Sequence, residues 1–446
     1  MTQQLSRPPE QEPTISGWSV WFFLLIVSCL LALFLGRLVN YLPQVTQFVE
    51  SGHSRVSSLQ GSEKGPLPRS VLYEQAGQLW IVSLWGGSPQ KLSTPGYIYN
   101  YAVPPLLTPS GQLLYSGDGV WLTNPFTGHP KRIASLPAGQ VITSLALSQD
   151  GSQIAWSSVP AYGKGTINLY AGPLEATVLV HQQSANACPC FRVFSFLHDA
   201  ASLGDKTLLL TEDHGDHDAV QHGLWIFNLN EGAAAQPRQL LASDPPQGPL
   251  ALAPDDRHLL YASWEGYTPV TEDSNTPNGA NALRDVSGPT EAGTLSSAND
   301  LNIATIDTQG SKFASSQVIV PGQSPMEADA IATSAYHWIT TPRFSLDGHT
   351  LAYLEFTSNV SAPFKRDTKI YTITIDDSGT QITLGSPKLL AVGQSGYSEL
   401  GNWLDDHSLT LYINGEIYAL DLNHKKLTGI VQTKGYAQII ATVARG

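Results

Sequence analysis

The chain has 446 residues, 42% of them hydrophobic and only 14% charged, which is ample apolar material for a core and excludes a disordered polymer. A formal net charge of −13 excludes a phosphate-backbone partner, because non-specific nucleic-acid affinity comes from Lys and Arg neutralising phosphates. Gly 39 and Pro 30 without a collagen period mark many turns and hence many short strands, and three cysteines are too few for a disulfide framework.

In chain order, residues 1–17 form a short polar tail. Residues 18–38 read as one transmembrane α-helix: the run from Trp18 to Gly36 has no charged side chain and, as a helix, spans about 28 Å, close to the ~30 Å hydrocarbon core. Trp18 and Trp21 sit at one end of it, where amphipathic rings favour the interface. Ile26-Val27-Ser28-Cys29 also fits a bacterial lipobox, but the apolar run continues to Leu35, which favours a span over a lipidated Cys29. Arg37, Arg55, Lys64 and Arg69 follow the span and weigh towards a cytoplasmic C-terminal part. Long domains translocate largely regardless of such charges, so the side stays open and an extracytoplasmic domain is the expectation adopted. Residues 39–68 are polar without a sustained period and read as a flexible stalk.

From residue 69 to 446 one phrase recurs: a short apolar strand, a Ser-x-Asp-Gly turn, then an alternating strand. Examples are Leu147-Ser148-Gln149-Asp150-Gly151 before Ile154-Ala155-Trp156, and Phe344-Ser345-Leu346-Asp347-Gly348 before Leu351-Ala352-Tyr353. Leu107-Thr108-Pro109-Ser110-Gly111, Leu252-Ala253-Pro254-Asp255-Asp256 and Trp403-Leu404-Asp405-Asp406-His407 vary it. A second phrase of alternating strands follows each, as in Leu224-Trp225-Ile226-Phe227 and Ile417-Tyr418-Ala419-Leu420. Four strands per repeat describe a propeller blade. Full units start near Tyr101, Ile142, Arg192, Pro249, Thr341 and Leu400. Residues 71–93 hold three strands of a further blade, and 436–444 hold one orphan strand that completes it. The expectation is an all-β, seven-bladed propeller, with six or eight as the margin, closed by the C-terminal strand.

The repeated phrase resembles that of TolB-like propellers, also called WD-like repeats, over roughly residues 71–444. The resemblance implies fold more than function, because propellers host many activities. The Gly-His…Trp-Asp signature of eukaryotic WD repeats is absent, and so is a Gly-x-Ser-x-Gly elbow, which speaks against a prolyl-oligopeptidase-like enzyme.

If the first strand of each blade, A, runs from face one to face two, the A–B and C–D turns lie on face two. The B–C and D–A connections lie on face one. Long B–C loops are expected at 158–166, 212–223, 265–299 and 357–368, and long D–A loops at 181–190 and 322–336. Face one of the third to sixth blades is therefore the expected recognition surface. One of these loops carries Asp213, His214, Asp216 and His217, with His222 nearby, a donor set suited to zinc or another divalent ion. Cys188 and Cys190 fall on the same face, as free thiols, a strained disulfide or metal ligands. Asp150, Asp255, Asp347 and Asp405 are expected to cap turns.

Two functions compete. A membrane-anchored binding or scaffold module at the cell envelope follows from the missing catalytic motif and the one-sided loops, and no catalytic residue is assigned. The alternative is a metal- or carboxylate-dependent propeller enzyme, of lyase or hydrolase type, with its site on the loop-rich face. A sensor reporting across the span would need a partner, because the tail of about 17 residues is too short for an output domain.

Overall fold

The computed structural model describes residues 69–444, apart from 101–102, 163–164, 186–189, 200–203, 214–221, 243–246, 270–294, 307–312, 322–336, 360–361, 377–381 and 395–397. The expected tail, span and stalk lie outside the described residues. Among the described residues no helix is long and apolar enough to cross a membrane.

The described residues form seven antiparallel sheets, each built around four strands. The fold is a seven-bladed β-propeller. Blade 1 takes strand A from Ala437–Ala444 and strands B to D from Arg69–Gln75, Gln78–Ser83 and Gln90–Lys91. The orphan strand thus completes the first sheet, in register from Arg69↔Ala444 to Gln75↔Ala437. Strand A of blades 2 to 7 is, in turn, Leu106–Leu107, Gln140–Leu147, Cys190–Asp199, Gln247–Leu252, His337–Phe344 and Ser398–Asp405. Neighbouring A strands lie against one another at the steps between blades 3 and 4, 5 and 6, 6 and 7, 7 and 1, and 1 and 2.

The core is a ring of seven apolar clusters, one in each seam between blades. Leu72, Leu79 and Val443 of blade 1 meet Leu113 and Tyr115 of blade 2. Phe356 and Ile370 of blade 6 meet Trp403 and Leu409 of blade 7. Because a seam lies on each side, both faces of a blade are covered. Strand B accordingly reads as a continuous buried run, as in Leu113–Ser116 and at Leu208-Leu209-Leu210, where simple alternation would leave one face wet. Trp156, 1% exposed, stacks on Tyr170 with ring centroids 3.9 Å apart.

One device recurs that no local pattern announces. Each long A strand carries one residue more than its partner B strand near mid-length, at Thr143, Phe194, 248–249, 341–342, 401–402 and Ile440. These β-bulges add twist and free groups that then bond across seams. Ser144 Oγ accepts from Val193 N at 2.8 Å, and Thr341 Oγ1 accepts from Leu400 N at 3.1 Å. Asn402 Nδ2 donates to Ile440 O at 2.8 Å, so the blade 7 bulge grips the closing strand.

Candidate functional site

Topology fixes the two faces. Strand A of blade 1 ends at Ala444, opposite Arg69, so the chain enters the propeller at face two. Arg69 also donates to Leu404 O at the face-two end of blade 7.

Face two is built from repeated boxes. In blade 3, Asp150 Oδ1 accepts from Ser152 N at 2.9 Å and from Ser148 Oγ at 2.7 Å, while Ser148 Oγ accepts from Gln153 N at 2.9 Å. In blade 6, Asp347 accepts from Ser345 Oγ and from His349 N at 3.0 Å. Asp255 and Asp405 receive Arg257 N and His407 N at 2.9 and 2.8 Å. All four aspartates cap turns. The N–H of Ser152 holds the Asp150 carboxyl below its usual range, and the Ser345 hydroxyl does the same for Asp347.

Face one differs from blade to blade. The expected 265–299 loop is a hairpin at its root: strand B of blade 5 runs on to Pro269, and Leu295–Asn299 returns along it, from Trp264↔Asn299 to Pro269↔Leu295. The expected 357–368 loop is likewise ladder, because strands B and C of blade 6 stay paired from Thr357↔Asp367 to Asn359↔Ala362. Strand pairing continues past the blade and satisfies the backbone groups of both strands there.

The candidate metal residues are partly placed. His214, Asp216 and His217 lie outside the described residues. Backbone register sets Cys190 opposite Asp213 and Glu212 opposite His222, so Cys190, Asp213 and His222 share one sheet end on face one. Among the described residues no group of three His, Cys, Asp or Glu side chains is arranged to hold a metal. The Glu212 carboxylate accepts from Trp225 Nε1 at 2.7 Å. Cys190 is disulfide-bonded and so is not a free thiolate; the other cysteines, Cys29 and Cys188, lie outside the described residues.

Among the described residues, a concavity on face one lies between blades 2 and 3. It is a groove of about 960 Å³ lined by Ile98, Tyr99 and Val141, with Gln140, Asp118 and Arg192 as its polar members. Ile98 and Val141 are 61% and 43% exposed, and Tyr162 beside it is 91% exposed. Such apolar exposure at the rim of a cleft marks contact surface. Its polar wall is preorganised. Gln140 Nε2 donates to Thr166 O at 2.9 Å, and its Oε1 accepts from Ser158 Oγ at 2.7 Å. Asp118 accepts from Trp121 Nε1 at 2.8 Å. The 96–99 connection is seated directly on the B–C turn of blade 2, because a Cβ at Gly117 would lie 2.0 Å from Gly96 O. The groove stands on the expected face and takes in Val159, Pro160 and Ala161 of the expected 158–166 loop, while its Ile98–Tyr99 side lies before the third blade. The signal missed in the sequence is the Tyr- and Ile-rich connection Gly96-Tyr97-Ile98-Tyr99.

No protein-family model matches the sequence, and no curated protein matches it significantly. Solved propellers do match in shape. The putative TolB from Agrobacterium tumefaciens is 14% identical, covers 74% of this chain and 92% of its own, and has a TM-score of 0.38. The periplasmic gluconolactonase of Pseudomonas aeruginosa is 10% identical, with 84% and 99% covered and a TM-score of 0.46. An oligogalacturonate lyase in complex with manganese is 13% identical, with 71% and 82% covered and a TM-score of 0.40. At these identities the likeness concerns the fold alone.

Proposed function

We propose that the protein is a binding propeller that recognises a protein or small ligand with face one and is tethered to the membrane by residues 18–38. The observation that carries this reading is the face-one groove, where exposed Ile98, Tyr99 and Val141 surround a fixed polar wall. The tether fits the topology. The described chain enters the ring at Arg69, on face two and away from the groove. The disulfide at Cys190 supports an oxidising, extracytoplasmic location.

The test is site-specific photo-crosslinking in membranes of the source cell. A crosslinker at Val141 is expected to give discrete adducts that compete with unlabelled protein. One at Leu346, exposed on face two, is expected to give none. Adducts from Leu346 alone would remove the basis for this reading.

A second reading places a divalent ion in the 213–222 connection, using His214, Asp216 and His217 with Asp213 and His222, as part of a hydrolase- or lyase-type site. Its support is the register that sets Asp213 and His222 at one sheet end. Metal analysis of the purified full chain decides it. Stoichiometric zinc or manganese that disappears in a His214→Ala/His217→Ala variant is expected if the site exists, and metal-free protein rejects it.

A further inference from the structure

On the axis of the ring, at the face-two end, lies a second cavity, of about 450 Å³. It sits just beyond the A-strand bulges and is lined by Leu252, Phe196 and Phe344 together with Arg343, Ser195 and Asn402. Its volume falls in the range of small-molecule sites. Arg343 is the cation in this lining. Its Nη1 donates to its own neighbour, Pro342 O, at 3.2 Å, and among the described residues its guanidinium forms no ion pair. Among the described residues, four of its five donors are therefore uncommitted. The residue is nonetheless held in place: Trp403 Nε1 donates to Arg343 O at 3.2 Å, and the blade 6 bulge immediately precedes it. Asp256 on the rim already has an interaction of its own. The lining thus carries one formal charge of each sign, and Arg343 is the member with open hydrogen-bond donors.

We propose that this axial cavity binds a small organic carboxylate, whose charged end pairs with Arg343 and whose apolar body lies against Phe196, Leu252 and Phe344. A planar guanidinium fork matches a carboxylate in bidentate fashion. A single cation suits a monoanion better than a phosphate dianion. Asn402 also lines the cavity; one of its two Nδ2 hydrogens is held by Ile440 O, which leaves the other for a carboxylate, whereas the Ser195 hydroxyl already donates to Phe196 O. The site is on the opposite face from the groove and does not depend on it.

The test is calorimetric titration of the purified full-length protein with 3-phenylpropanoate and hexanoate, each against its neutral amide. Saturable binding of at least one carboxylate, with a Kd at or below about 1 mM, is expected. The amide should bind roughly tenfold more weakly or worse, because a charge-assisted bond is lost. Arg343→Gln should reduce carboxylate binding to the level of the amide, and Lys131→Gln, an equal change in net charge on an exposed strand, should leave it unchanged. No saturable binding of either carboxylate up to about 10 mM, equal binding of acid and amide, or an Arg343→Gln protein that binds like the parent would each overturn the proposal. If Arg343→Gln does not fold, two measurements replace it: the acid–amide comparison on the parent protein, and Arg343→Lys, which is expected to retain weakened binding.

Discussion

At face two the described A–B turns of blades 3, 5, 6 and 7 use one chemistry: an aspartate collects the N–H groups of the next residues, with a serine closing the box where one is present. At face one the described connections diverge from blade to blade. Blade 2 turns through a tight glycine contact, blades 5 and 6 extend their ladders, and blade 4 brings Cys190, Asp213 and His222 to one edge. The difference teaches where constraint lies. A turn joining strands A and B of one blade sees much the same strand separation each time, and one local solution recurs in blades 3, 5, 6 and 7. B–C and D–A connections answer to whatever lies beyond the ring, and there the lengths and sequences diverge.

Removing the element that both faces share is the strongest way to break this picture. Deletion of residues 437–446 takes strand A from blade 1 and with it buried Ala437, Ile439, Ala441 and Val443. The loss should exceed about 5 kcal/mol, enough to abolish a cooperative thermal transition followed by circular dichroism. A truncated protein that melts like the parent would show that closure does not hold the ring.

A smaller effect sharpens the reading of face two. Asp347→Ala removes the acceptor for Ser345 Oγ and His349 N and should cost about 1 kcal/mol at pH 7. The folded carboxyl lies below its ordinary value of 3.8, so its contribution is complete above that value and disappears as pH falls through the folded one. The variant and the parent should therefore converge in acid, as read by denaturant midpoints at pH 7 and pH 3. A constant gap would assign the cost to something other than the charge.

The smallest effect belongs to face one. Burial pushes the Glu74 carboxyl above its ordinary 4.5, against the N–H groups of Gly77 and Gln78 that favour the ion. Keeping it ionised costs stability above the folded value, and the cost vanishes as pH falls below 4.5. Glu74→Gln should thus compare most favourably with the parent at pH 7 and lose that relative gain towards pH 4. The opposite slope would mean that the backbone bonds outweigh burial.

Much of this architecture was legible in residue order. The Ser-x-Asp-Gly phrase located the A–B turns, because Asp150 and Asp347 act within two residues of themselves. The three-strand opening and the single closing strand predicted the join at Arg69↔Ala444. The expected long loops at 265–299 and 357–368 were only partly such, since whether a polar strand stays paired depends on its neighbour rather than on its own pattern.

Blade number, turn chemistry and the manner of closure were thus set by the sequence itself, since each rests on contacts between residues close in the chain or on a count of repeats. The bulges, the groove and the cavity of Arg343 were decided by tertiary structure alone. The groove draws on residues as distant as Ile98, Val141 and Arg192, and the cavity on Ser195, Arg343 and Asn402 from three blades. Such sites exist only once separate sheets converge on a common axis, and no window along the chain contains that convergence.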